Sequence, residues 1–296
     1  MNKSLGQVSL LTAVIPMKAS LDDLDNLCGW FSQEGASLVH FVLVCDRATS
    51  EIRDITRSLP LQFPYLRIDV LNGDYFGPGP ARNAGMGLID TAYVAFWDSD
   101  DTPNILAIIT TLENIDPGVE KLYVGSFAVK STGYRTKVIR TTNLIQFARN
   151  PGLWRCLIPT KALSGNIFPQ FLLGEDQVFL ANIVANTKNI EYTDNIFSSY
   201  VYGNSGQLTS TKDFSHLKFT ESIIRKIDMR DSSPEVSNFM YNLSTKQVLT
   251  MLHSGNFKIK CISILKLTKR IMTDRRRCLN SIIAMAKVPS PERFNV

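Results

Sequence analysis

The sequence predicts an α/β protein: a mixed, mostly parallel sheet flanked by helices and continued by a basic helical C-terminal extension. Three observations carry this. Short, bulky apolar runs stop abruptly at proline or aspartate, as strands buried on both faces of a parallel sheet do. Strand-like and helix-like patterns alternate four times before residue 104. Positive charge collects at one end: residues 212–296 hold 16 Lys and Arg against 7 Asp and Glu, net +9, whereas residues 1–211 hold 16 against 20, net −4.

The first strand is read over Ser9–Ile15, closed by Pro16. Ser20 reads as a helix cap with Asp23 at the third position, and Leu21, Leu24, Leu27, Cys28 and Phe31 follow at helical spacing. Leu38–Val44, ended by Cys45-Asp46, completes a βαβ unit. A helix over Thr49–Arg57 leads to a third strand, Leu66–Leu71. Glycine-rich Gly73–Gly87 then leads to a fourth, Val94–Trp97, which breaks into Asp98-Ser99-Asp100-Asp101. A helix over Asn104–Asn114 stops at Asp116-Pro117-Gly118. Leu122–Lys130 and Arg135–Arg140 alternate in character and read as antiparallel additions. Leu153–Ile158 is a further strand, Phe168–Leu173 approaches Gly174, Gln177–Asn186 is helical, and Tyr192–Tyr202 is a last strand before Lys- and Arg-rich helices. The expected division is an α/β unit over 1–211 and a basic helical extension over 212–296.

At 296 residues the chain buries a substantial core. No apolar run reaches the roughly 18 residues of a membrane span, and Met1–Gly6 carries no signal-peptide pattern. The expected location is the cytoplasm, with the inner face of the cytoplasmic membrane as a candidate peripheral contact. Five scattered cysteines, without a CxxC pair, read as reduced and mostly buried.

Three stretches carry chemistry. The acidic tip Asp98–Asp101 follows a strand, at the sheet edge where open α/β proteins bind ligands, and its carboxylates repel one another unless a cation or donors offset them. A hard divalent cation is one reading; capping of the helix near Pro103 by Asp98 or Asp101 is the other. Asp46 ends the second strand at the same edge, either to accept a bond from a base or ribose or to cap the next helix. Arg82 lies near a helix start after Gly77-Pro78-Gly79-Pro80, where a cation is out of place unless an anion such as a diphosphate is close. Glu175-Asp176, alone, is an ordinary acidic helix start.

In order and spacing, Val14-Ile15-Pro16, Asp46, Ala81-Arg82-Asn83-Ala84-Gly85, Asp98–Asp101 and Gly174-Glu175-Asp176 together resemble a family 2 glycosyltransferase of the GT-A fold, the kind that builds bacterial capsule, O-antigen or teichoic-acid chains. The resemblance spans residues 9 to 210 and takes in Trp154 and Arg155 on the acceptor side and Tyr200-Val201-Tyr202 with Ser205 and Thr209. It departs at Met17-Lys18, where the family has small or hydroxyl residues, and at Arg47-Ala48, where it has Gly-Ser. It implies a nucleotide-sugar donor, most simply a UDP-sugar, held by Pro16, Asp46, Arg82, Asn83, Asp98 and Ser99. It implies Mg²⁺ or Mn²⁺ on Asp100 with Asp98. It also implies Asp176 as the base of an inverting transfer to a glycan or polyprenyl-linked hydroxyl, with Glu175 orienting substrate.

A sugar nucleotidyltransferase would share the sheet and acidic site, but Met17-Lys18-Ala19-Ser20 lacks the glycine- and basic-rich loop expected after its first strand. An inactive transferase sits poorly with an intact Asp98-Ser99-Asp100 and Asp176. A nonenzymatic nucleic-acid binder would interleave aromatics with its basic residues, and Lys258 to Lys287 has none, so no nucleic-acid partner is expected. In Phe257–Val288, apolar residues including Ile264, Leu265, Met272, Leu279 and Ile283 recur near helical spacing among Lys and Arg. That stripe belongs either against the rest of the protein or on an anionic membrane.

Overall fold

The computed structural model describes residues 8–18, 20–116, 118–130, 136–171, 173–187, 189–201, 216–230 and 232–288, the side chains of Tyr200 and Val201 excepted. Tyr202, Ser205, Thr209 and Met1–Gly6 lie outside them. The strands are β1 (Leu11–Met17), β2 (Val39–Asp46), β3 (Arg67–Gly73), β4 (Tyr93–Phe96), β5 (Thr102–Pro103), β6 (Leu122–Lys130), β7 (Lys137–Ile139), β8 (Cys156–Pro159) and β9 (Ile190–Val201). The helices are α1 (Leu21–Phe31), α2 (Ser50–Gln62), α3 (Pro78–Met86), α4 (Ile105–Glu113), α5 (Leu144–Arg149), α6 (Glu175–Asn186), α7 (Leu217–Ile224), α8 (Pro234–Ser254) and α9 (Phe257–Lys287).

The strands form one mixed sheet in the order β3-β2-β1-β4-β8-β6-β9-β5, with β7 beside β6. β3, β2, β1 and β4 are mutually parallel, and β8 runs antiparallel to β4 and β6. Because β1 lies between β2 and β4, the strand order reverses there, which opens a crevice at the carboxyl ends of β1 and β4. The acidic tip leaves β4 at that crevice.

The apolar runs read as strands because both faces are covered. Along β1, Leu11, Ala13 and Ile15 join a core with Trp30, Phe31, Phe41 and Trp97 under α1, α2 and α4. Val14 faces the opposite core, with Val42, Val44, Phe96, Phe168 and Phe179 beneath α3 and α6. Gly85 lets α3 approach: a Cβ there would lie 2.5 Å from Val14 Cγ1. The second core continues through Ile224, Phe239, Met240 and Leu243, so α7 and α8 share a core with the residues before 211.

Several boundaries differ from the sequence reading. α1 has the predicted cap, a full capping box between Ser20 and Asp23. α2 runs past Arg57 through Pro60, with buried Leu59 holding the last turn and accepting from the Phe63 amide at 2.9 Å. Leu153–Arg155 is a 3₁₀ turn, and only Cys156–Pro159 is strand. Neither Asp46 nor Asp101 caps a helix, since Thr49 and Asn104 do. All five cysteines are free, Cys261 alone being exposed.

Candidate active site

Most of the functional groups sit at element ends, Arg82 one turn inside α3. Asp46 ends β2 and its carboxylate accepts three backbone amides, Tyr75 at 2.8 Å and Phe76 at 3.0 Å on Oδ1 and Gly77 at 2.9 Å on Oδ2. It thereby shapes the loop before α3. Arg47 and Phe76 both hold positive φ, 55° and 59°, and the Arg47 guanidinium lies 5.0 Å above the exposed Phe76 ring. Two side-chain-bearing residues in the left-handed region at a ligand edge mark stored strain. The sequence marked Arg47 only as a departure from the pattern it resembles and did not mark Phe76, although an aromatic between Asp74-Tyr75 and Gly77-Pro78 is a usable signal.

The centre is Arg82. It lies one turn into α3, is 4 % exposed, and bonds Asp98 Oδ1 through Nη2 at 2.5 Å and Glu175 Oε1 through Nη1 at 2.9 Å. The sequence places it on a diphosphate. Here it is a strut joining the acidic tip of β4 to the first turn of α6. Burial works against its charge, but Asp98, Glu175 and Asp176 outweigh that and hold its pKa above the usual arginine range. Asn83 is also occupied, donating to Phe168 O at 2.9 Å and accepting from Phe168 N at 2.8 Å. That bracket fixes the segment leading to α6. Gly79 makes the approach possible, because a Cβ there would meet Pro169 O at 2.8 Å.

Gly174 starts α6 with φ 87°, and a Cβ on it would press against Thr220 Oγ1 at 2.5 Å, so α7 seats the turn that presents Glu175 and Asp176. Glu175 is buried on Arg82. Burial first, then the neighbouring Glu175, push the Asp176 carboxyl up to about 7 against the opposing pull of Arg82. A carboxyl at that value is poised to take a proton near neutral pH.

At the tip, Ser99 Oγ donates to Asp23 Oδ1 at 2.7 Å and Ser99 O accepts from Asn26 at 3.1 Å, so α1 holds the turn in place. Asp23 was legible only as a cap. Pro16 lies in β1 opposite Val44, at the same edge. Asp100 is pushed up to about 6 by burial and then by Asp98, and Asp101 well above its usual range by burial, Asp98 and Asp100. Asp101 Oδ1 is buried without a partner.

Among the described residues no group of three or more His, Cys, Asp and Glu is placed to hold a metal ion. The donor set nonetheless fits a hard cation of the Mg²⁺ or Mn²⁺ kind, which takes one or two carboxylates from a protein and the rest of its oxygens from phosphates and water. Asp100 is the freer ligand, Asp98 being tied to Arg82.

Arg155 is 1 % exposed and pinned by bonds to Gly125 O, Thr141 Oγ1 and Asn150 O, with Phe127 and Phe147 against its guanidinium. In this arrangement its Nη groups are spent on acceptors within the protein. Trp154 packs edge-on against Phe127 with centroids 5.1 Å apart.

A family model for glycosyl transferase family 2 matches residues 15–174, more than half of the chain. The fold is similar to S. aureus TarS 1–349 in complex with UDP-GlcNAc, with TM-score 0.66 and 16 % identity over 94 % of this chain and 81 % of that one. It is also similar to the mannosyltransferase PcManGT from Pyrobaculum calidifontis in complex with GDP-Man and Mn²⁺, with TM-score 0.54 and 12 % identity over 96 % and 90 %. No curated protein matches the chain by sequence.

Proposed function

The chain belongs to glycosyl transferase family 2 and is a glycosyltransferase that uses a nucleotide-sugar, and from that premise we propose an inverting, metal-dependent transfer from a UDP-sugar to a hydroxyl of a glycan or lipid-linked acceptor. The observation that carries the mechanism is the Arg82 strut, which draws Asp98 of the acidic tip and the Glu175-Asp176 turn to one buried guanidinium. This supports a reading in which donor site and base share a single centre.

In this reading the acceptor oxygen attacks the anomeric carbon while the bond to the diphosphate breaks, and Asp176 takes the hydroxyl proton. Glu175 keeps Arg82 in place, and Arg82 holds the Asp98 carboxylate at the tip through Nη2. Asp46 holds the Tyr75–Gly77 loop at the edge where the nucleoside would lie. A divalent cation on Asp100 and Asp98 would offset the charge that grows on the leaving diphosphate. The complexes of TarS with UDP-GlcNAc and of PcManGT with GDP-Man and Mn²⁺ support a nucleotide-sugar donor and a metal.

We also propose peripheral attachment to the inner face of the cytoplasmic membrane through α9. Phe257, Ile264, Leu265, Met272, Leu279 and Ile283 are all exposed, whereas its packed face is Ile259, Ser263, Arg270, Cys278, Ser281 and Met285. Exposed apolar residues among exposed Lys258, Lys260, Lys269, Arg275 and Arg276 suit an anionic surface. Among the described residues no helix is long and apolar enough to cross a membrane.

A screen of nucleotide-sugars by thermal shift and by nucleoside-diphosphate release, with and without Mn²⁺ or Mg²⁺, tests the donor reading. Metal-dependent stabilisation and slow hydrolysis of one donor class are expected; no donor-dependent shift in either condition overturns it.

A further inference from the structure

Helix α9 breaks at one residue. Asp274 leaves helical geometry, at φ −153° and ψ 76°, and its Oδ1 accepts the Arg277 amide at 3.0 Å, so it caps a second helix inside the first. The first turn of that second helix is Arg275-Arg276-Arg277. Three cations at the positive end of a helix repel the dipole and one another unless an anion is close. Apart from the Asp274 cap, none of the three meets a carboxylate among the described residues.

The break opens onto a cavity of about 330 Å³ between α9, α8 and α5. Its polar lining includes Asn238, Asn242, Arg276, Arg277, Asn280 and Ser281, with Tyr241 beside them, and Asp274 is its one acidic residue. The lining therefore carries net positive charge. Arg277 is held rigidly: Nη2 donates to Ser237 O at 3.1 Å, Ser237 Oγ at 2.9 Å and Asn238 Oδ1 at 3.2 Å, and the guanidinium lies 4.5 Å over the Tyr241 ring. Its buried Nε has no partner. Asn242 Oδ1 accepts from Ser281 Oγ at 2.5 Å, leaving the amide hydrogens as what Asn242 can offer. Exposed Arg276 has no partner among the described residues.

Donors from several directions, a fixed guanidinium and a second free one together match a tetrahedral oxyanion better than a planar carboxylate. We propose that this cavity is a binding site for a phosphate group, carried by an anionic lipid headgroup or by free phosphate. It stands on the kink and the cavity, and needs neither the donor site nor the exposed apolar residues of α9.

The test uses the full chain with two probes, phosphatidylglycerol vesicles by cosedimentation and inorganic phosphate by calorimetry. Arg276→Gln removes the free cation and Asn280→Asp places a carboxylate in the cavity; both side chains are exposed, so the fold should survive, as a melting curve will show. Arg275→Gln and Lys258→Gln remove the same charge outside the lining, on the surface proposed to face the membrane. Binding of at least one probe should fall about tenfold or more in the first pair, whereas the second pair should keep phosphate binding within about twofold and lose clearly less vesicle binding than the first. Phosphate binding lost with Arg276 assigns free phosphate, and vesicle binding alone lost with Arg276 assigns the headgroup. Equal losses in all four variants would mean a diffuse basic surface and overturn the site, as would binding of neither probe. If vesicle binding fails while phosphate still binds through Arg276, the membrane reading falls and the site stands.

Discussion

Arg82 faces Asp98, Glu175 and Asp176, so a single buried cation holds three carboxylates together. Arg82→Met leaves Asp98 and Glu175 without that partner and is expected to cost about 3–5 kcal/mol in denaturant unfolding, the scale of a broken buried pair. A loss under about 1 kcal/mol would show that water already screens the centre. Asp176 has the opposite balance. Its folded pKa, about 7, is above that of the unfolded chain, so the native state binds more protons between the two values and stability falls as pH rises through that window. Asp176→Asn should therefore melt above the parent at pH 8, with the gap closing near pH 4. The same substitution should lower turnover by roughly a hundredfold or more while donor affinity holds. Turnover of the parent should rise with pH through about 7 as the base loses its proton. Near-parental turnover of the variant with its true acceptor would remove Asp176 from the mechanism. Asp100→Ala should abolish metal-dependent binding of nucleoside diphosphate in calorimetry, because the tip then lacks its free carboxylate. Equal metal dependence in variant and parent would place the cation elsewhere.

Elements are joined at a few close approaches. α3 lies on β1 and β2 through Gly85, where an added methyl would also meet Val44 Cγ2 at 3.0 Å. Gly85→Ala should destabilise by about 1–3 kcal/mol through overpacking, and a denaturant midpoint unchanged from the parent would mean that α3 shifts freely. At the other end, buried Glu221 of α7 binds Arg270 of α9 at 2.6 Å and also contacts Lys266, while Arg270 Nη1 reaches Thr245 of α8 at 2.7 Å. Removing Glu221 strands a 4 % exposed guanidinium. Glu221→Ala is expected to loosen α9 first, seen as faster amide exchange over residues 257–273 than in the sheet.

Across the whole molecule one core crosses the expected boundary at 211. Phe147 of α5 lies against Phe239 of α8 with centroids 5.6 Å apart, and Ile224, Met240 and Leu243 complete the layer under α6. Truncation after residue 211 should therefore expose apolar surface on α5 and α6 and abolish cooperative unfolding. A truncated chain that melts near the parent temperature would support 211 as a true division between domains.

What the sequence determined alone was local: the βαβ order, the Ser20–Asp23 capping box, the acidic tip after β4 and the family, because apolar period and capping chemistry are written within a few residues of one another. Only the tertiary structure decided what those residues touch. Arg82 meets Glu175 rather than open solvent, and Ser99 meets Asp23, because β1 and β4 are neighbours in the sheet. It also turned the apolar stripe of α9 outward, burying Arg270, Ser263 and Ser281 instead. Periodicity finds a helix face but not its partner, and Glu221, Thr245 and Asn242 supply the polar partners that make the other face the packed one.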